Sequence, residues 1–114
     1  MLTIYGISTC DTVKKARKAF EAADRAYVFH DYRQDGITQQ MIDRFIGEFG
    51  WEAMLNKRST TWRNLSDDER SGLSETTARA LFLNQPTIIK RPIIEDGTTR
   101  SIGFTPKVQD VWQV

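Results

Sequence analysis

The chain has one cysteine, Cys10, in the stretch Thr9-Cys10-Asp11-Thr12-Val13-Lys14-Lys15, just after the run Leu2-Thr3-Ile4-Tyr5-Gly6. The β-branched and aromatic run stops at Gly6 and hydroxyl residues follow. Val13, Ala16 and Phe20 then recur at helical spacing among Lys14, Lys15, Arg17 and Lys18. The pattern is strand, loop, helix, with the thiol where loop becomes helix. N–H groups in a first helical turn have no intrahelical acceptor, and the helix dipole favours an anion there by roughly 0.3–1 kcal/mol, up to about 2 when partly buried. Cys10 is thus placed to react as a thiolate, the form that attacks disulfide sulfur. A lone cysteine can equally be a small buried hydrophobe, but Thr9, Asp11 and Thr12 suit a helix N-terminus better than a core. Asp11 opposes the thiolate, so the cysteine needs positive partners. Lys14, one turn below it, lends positive potential. Lys15, Arg17 and Lys18 read as a solvated face, with Asp11 and Lys15 at i,i+4 in the favourable orientation.

The elements that must hold this stretch fit one domain of 114 residues. Sixteen basic and fifteen acidic residues leave a net charge of +1, so no global field draws the chain to nucleic acid or an anionic membrane. No intrachain disulfide can form, and neither a secretory leader nor an apolar run near membrane-spanning length is read, so a cytoplasmic setting is expected. Strands over Leu2–Tyr5 and Ala26–Tyr32 flank a helix over Asp11–Ala23, a βαβ unit with a parallel pair. The single histidine, His30, has no second histidine or cysteine beside it, so a structural role is expected and no metal site.

Arg33-Gln34-Asp35-Gly36 reads as a turn, and about fifty residues of helical pattern follow. Thr38 caps a helix with the stripe Met41, Ile42, Phe45, Ile46 and Phe49, which stops at Gly50. Trp51, Met54 and Leu55 form a further apolar cluster, Ser66 and Glu69 a capping box, and Glu75–Leu83 a helix burying Ala78, Leu81 and Phe82. Between them, Asn56–Arg63 is polar and basic, unsuited to a core, a solvated loop with Trp62 tucked beneath. Thr87–Glu95 then reads as extended, Asp96-Gly97 as a hairpin turn and Thr99–Ile102 as the returning strand. Pro92, lacking a ladder donor, belongs at the first residue of its strand. Thr105 and Pro106 open a closing helix with the inner face Val108, Val111 and Trp112. The order β-α-β, helical block, β-β-α predicts an α/β thioredoxin-like fold. Its four-stranded mixed sheet would be built from residues 1–35 and 86–114, with an all-helical insertion over 36–85.

Three stretches in order, Gly6–Arg17, Leu55–Arg63 and Ile89–Ile93, resemble the arsenate reductase (ArsC)-like family, most nearly its YffB branch of glutathione-dependent thiol reductases. The resemblance implies that Cys10 is the nucleophile, that Arg58 lies beside it, and that Arg91 precedes a cis Pro92 facing the thiol. Two guanidinium groups would offset Asp11 and bind anions. Thr9, Thr12, Lys14, Pro92 and Lys107 are the expected substrate contacts, Lys107 supplying a point charge where arsenate reductases of the family carry a third arginine. Val13 stands where Spx-type regulators carry the second cysteine of a C-x-x-C pair, so an external thiol would have to resolve a mixed disulfide. The implied activity is a monothiol oxidoreductase with no tightly bound cofactor. Glutathione would be its co-substrate, and a small-molecule or protein thiol or disulfide its substrate. Two alternatives follow from the same resemblance: a glutathione-coupled arsenate reductase, and an Spx-like RNA polymerase-binding regulator without catalysis.

Overall fold

The computed structural model describes residues 1–114. It contains strands β1 (Thr3–Gly6), β2 (Val28–Asp31), β3 (Ile93–Asp96) and β4 (Thr99–Ile102). The helices are α1 (Asp11–Ala22), α2 (Tyr32–Asp35), α3 (Gln39–Phe49), α4 (Trp51–Met54), α5 (Thr60–Arg63), α6 (Asp67–Ser71), α7 (Glu75–Asn84) and α8 (Pro106–Trp112). The chain forms two compact units, Met1–Gly36 with Arg91–Val114, and Ile37–Lys90.

The first unit holds one sheet in the order β2-β1-β3-β4. β1 and β2 are parallel, with Gly6 opposite Asp31, while β1–β3 and β3–β4 are antiparallel. This four-stranded mixed sheet with flanking helices is the thioredoxin-like α/β arrangement. Alternation assigns its two faces. Leu2, Ile4 and Ile94 meet Ala16 and Phe20 of α1 and Trp112 of α8 in one core, closed by Phe104. Trp112 cannot be buried with a bare indole N–H; its Nε1 donates to Ser101 Oγ at 2.7 Å. The other face carries Tyr5, whose hydroxyl donates to Glu95 at 3.0 Å, and Arg100, whose Nε donates to the same carboxylate at 2.5 Å. His30 packs on Tyr5 with ring centres 5.1 Å apart, and its Nε2 donates to the Gly36 carbonyl at 2.7 Å.

Several local expectations need correction. Arg33–Gly36 is not an open turn, because Tyr32–Asp35 winds into the one-turn helix α2, where the Asp31 carboxylate accepts the Arg33 N–H at 2.8 Å. Thr87–Glu95 is not one extended run. Pro86–Ile88 forms a 3-10 turn, Ile89 makes only a single bridge to Leu55, and pairing in the sheet begins at Ile93. Arg17 leaves the solvated face, its guanidinium lying 4.1 Å from the Phe29 ring centre and bonding the Tyr27 hydroxyl. Val111 is 54% exposed rather than on the inner face of α8.

In the second unit the apolar stripe of α3 packs against α4 and α7. Part of the Asn56–Arg63 stretch is helical: Ser59 caps α5 by accepting the Trp62 N–H at 3.1 Å. Ser66 and Glu69 do form a reciprocal capping box, the Glu69 carboxylate accepting the Ser66 N–H at 2.9 Å. That bond favours the charged form and holds Glu69 below the ordinary glutamate range. A depressed folded-state value means that this stabilisation is present above the unfolded-state pKa and is lost as pH falls through the folded one. An NMR titration should place the Glu69 carboxyl midpoint below the ordinary glutamate range. The Ser66 hydroxyl adds a smaller share to the lowering. Ser66→Ala keeps the N–H and removes that share, so it should return the midpoint only part of the way, and an unmoved midpoint would mean the hydroxyl contributes nothing.

Candidate active site

Cys10 is the N-cap residue of α1, extended at φ −80° and ψ 125°. Its N–H donates to the Ile7 carbonyl at 3.2 Å, closing the loop after β1, and its own carbonyl accepts the Lys14 N–H at 3.0 Å, the first bond of the helix. An oxygen side chain at this position would accept from the second or third helical N–H. The Cys10 side chain makes no such bond and is half-buried. The sulfur therefore stands at the positive end of a twelve-residue helix, reduced and uncommitted.

The strand-to-helix junction is tight at one point. A Cβ on Gly6 would lie 2.6 Å from Val13 Cγ2, and Val13 is fully buried. Only a glycine lets the end of β1 approach α1 this closely, and that approach sets where the intervening loop delivers Cys10.

Pro92 is buried, and the Arg91–Pro92 peptide is cis. The β1–β3 register pairs Tyr5 with Ile93, so Pro92 and Arg91 continue alongside Gly6 and Ile7, at the Cys10 end of the sheet. The Pro92 carbonyl accepts the Gly103 N–H at 2.9 Å, which draws the chain leaving β4 to the same end. Lys107 follows on the exposed first turn of α8. Thr9, Thr12 and Lys14 are exposed around the thiol, and Arg91 is half-buried. The first unit thus brings Cys10, Thr9, Thr12, Lys14, Arg91, Pro92 and Lys107 to one end of its sheet.

Arg58 belongs to the second unit. It lies in a turn in which Asn56 Oδ1 accepts the Arg58 N–H at 3.1 Å and the Asn56 carbonyl accepts the Ser59 hydroxyl at 2.7 Å. The turn is tied down by Asn56 N–H to the Ile88 carbonyl at 2.8 Å and Lys90 N–H to the Met54 carbonyl at 2.7 Å. The Arg58 side chain is exposed, while the neighbouring Lys57 ammonium lies 5.6 Å from the Trp62 ring centre.

Two residues at the Cys10 end escape a reading of the sequence. Arg33, at the start of α2, donates from Nη1 to Thr9 Oγ1 at 3.3 Å. The one available signal was its place just beyond a strand parallel to β1, where α/β folds gather ligands. Tyr32 is 4% exposed, and its hydroxyl is buried without a hydrogen-bond partner. Burial holds its phenol far above the ordinary tyrosine range, Tyr5 adds to the shift and the Arg91 charge opposes it. Since an unpaired buried hydroxyl costs more than the methine it replaces, Tyr32→Phe should leave stability unchanged or raise it by about 1 kcal/mol in chemical denaturation. A loss above that would mean the hydroxyl is satisfied in solution.

Comparison with known proteins agrees with this fold. The ArsC family profile matches residues 5–110. An uncharacterised protein of Haemophilus influenzae is 45% identical over 107 residues, which span 94% of each chain. Among solved structures, a YffB protein superposes with a TM-score of 0.91 at 40% identity over 97% of both chains. An arsenate reductase (ArsC) related protein from Brucella melitensis gives 0.81 at 40% identity, over 99% of this chain and 95% of the other. The profile match over residues 5–110 and relatives 40–45% identical along nearly the whole chain place this chain, with its thioredoxin-like sheet and Cys10 at the start of the helix after β1, in the ArsC family.

Proposed function

We propose that the protein is a monothiol oxidoreductase that works with glutathione through Cys10. The observation that carries this reading is the uncommitted Cys10 side chain at the N-cap of α1. In the reaction, the Cys10 thiolate attacks the glutathione sulfur of a mixed disulfide. A Cys10–glutathione disulfide forms, and the substrate sulfur leaves as a thiolate that takes up a proton. A second glutathione thiolate then attacks the bound glutathione sulfur, releasing glutathione disulfide and the Cys10 thiolate. The glutathionylated substrate and one glutathione thus give the free substrate thiol and one glutathione disulfide.

The second step needs an external thiol because Cys10 is the only cysteine and the position three residues on is Val13, packed in the core. The same feature separates this reading from a C-x-x-C redox switch. The cationic groups at the Cys10 end, Arg91 and Lys107, are the groups we assign to the anionic parts of glutathione and substrate. No helix is long and apolar enough to cross a membrane, and the reducing cytoplasm is the setting in which we place the reaction.

The test is incubation with glutathione disulfide followed by intact-mass spectrometry. One glutathionyl group should be gained on Cys10 and removed again by excess glutathione. Failure to form the adduct would overturn the proposal. Supplying arsenate in place of the disulfide separates the arsenate reductase alternative, for which Lys107 offers no planar fork.

A further inference from the structure

We propose that Arg33 makes the Cys10 site selective for thiols and disulfides that carry a carboxylate near the reacting sulfur. This deepens the function proposed above and rests on Cys10 being its reacting group. The carboxyl ends of neighbouring parallel strands open into one crevice, where α/β folds bind ligands. β1 and β2 are such a pair, with Gly6 opposite Asp31. The chain leaving β1 delivers Cys10, and the chain leaving β2 delivers Arg33.

The Arg33 backbone is fixed. Its N–H donates to Asp31 Oδ1 at 2.8 Å, the Asp31 N–H donates to Asp35 Oδ2 at 3.0 Å, and Tyr32 between them is buried. From that base the exposed side chain crosses to the Cys10 loop, where Nη1 meets Thr9 Oγ1 at 3.3 Å, one residue from the nucleophile. The threonine hydroxyl aims the guanidinium without neutralising it. Asp31 and Asp35 spend their carboxylates on backbone N–H groups, and no carboxylate forms a salt bridge with Arg33. A guanidinium has five N–H donors in a planar fork, so most of them remain to take a carboxylate side-on. Neither Lys14 nor Lys107 has that geometry.

The experiment compares alkylation of Cys10 by iodoacetate and by iodoacetamide at one pH and low ionic strength. In both reactions the thiolate forms a carbon–sulfur bond and iodide leaves. The ratio of the two rates therefore cancels the thiolate fraction and reports how the site treats the reagent's carboxylate. Arg33→Gln should lower the iodoacetate-to-iodoacetamide ratio roughly three- to ten-fold, the range expected for an exposed charge-assisted contact. Arg33→Lys should restore part of it, and added salt should shrink the difference. An unchanged ratio in Arg33→Gln would overturn the proposal. Because the probe does not involve glutathione, the two readings fail separately. A lowered ratio without a glutathione adduct removes the thiol-transfer function and keeps the anion selectivity, whereas an adduct with an unchanged ratio removes Arg33 alone.

Discussion

Cys10→Ser should lose glutathione adduct formation and thiol transfer by roughly a thousand-fold or more, since it removes the nucleophile of the first step and the leaving thiolate of the second, and should at the same time fold slightly better. The second half of that expectation comes from the N-cap geometry. Cys10 begins α1 with no side-chain bond to the first turn. A serine hydroxyl is among the preferred groups at that position and would accept a helical N–H that the thiol leaves alone, worth about 0.5–1 kcal/mol. Activity and stability should therefore move in opposite directions, which rules out unfolding as the cause of the loss. Adduct mass, turnover and urea denaturation measure the three quantities. Residual turnover would place the nucleophile elsewhere. A serine variant less stable by more than about 1 kcal/mol would show the sulfur acting as core packing instead.

What could be read from the residues alone follows the range of the signals. Helix caps are local: Thr38, the Ser66–Glu69 pair and Thr105-Pro106 each announce a helix within four residues, and each does so in the structure. The Asp96-Gly97 dipeptide likewise marks the hairpin between β3 and β4. Features decided by distant contacts leave no such local signal. Ile88 and Ile89 have the composition of a strand, yet both are buried while the chain turns through Pro86–Ile88, and only Ile89 bridges to Leu55. Arg17 has the composition of a solvated face and lies instead on Phe29, which follows it after the turn into β2. Arg33 lies 24 residues from Thr9, so no spacing rule joins them. Their meeting depends on the parallel pairing of β1 with β2. The place of Cys10 at the start of α1 is legible because it depends on its immediate neighbours.

The second large effect is expected at Gly6. Adding one methyl group there would place it 2.6 Å from Val13 Cγ2, well inside van der Waals contact. Val13 cannot swing away freely, being β-branched with restricted χ1 in a helix and fully buried. Either β1 or α1 must shift, at a cost typical of overpacking, about 1–3 kcal/mol. The displacement falls on the loop that carries Cys10, since that loop joins the two shifted elements. Gly6→Ala should thus lose stability and also slow adduct formation in the fraction that remains folded. Val13→Ala alone should destabilise by a comparable amount through the cavity it leaves. In the double variant Gly6→Ala/Val13→Ala the new methyl occupies space the valine vacated, so the two losses should not add. A coupling of about 1 kcal/mol or more in the direction of rescue, with the adduct rate returning alongside the stability, would show that this contact positions the thiol. Simple additivity would mean that the clash is relieved by a backbone shift which Val13 does not control.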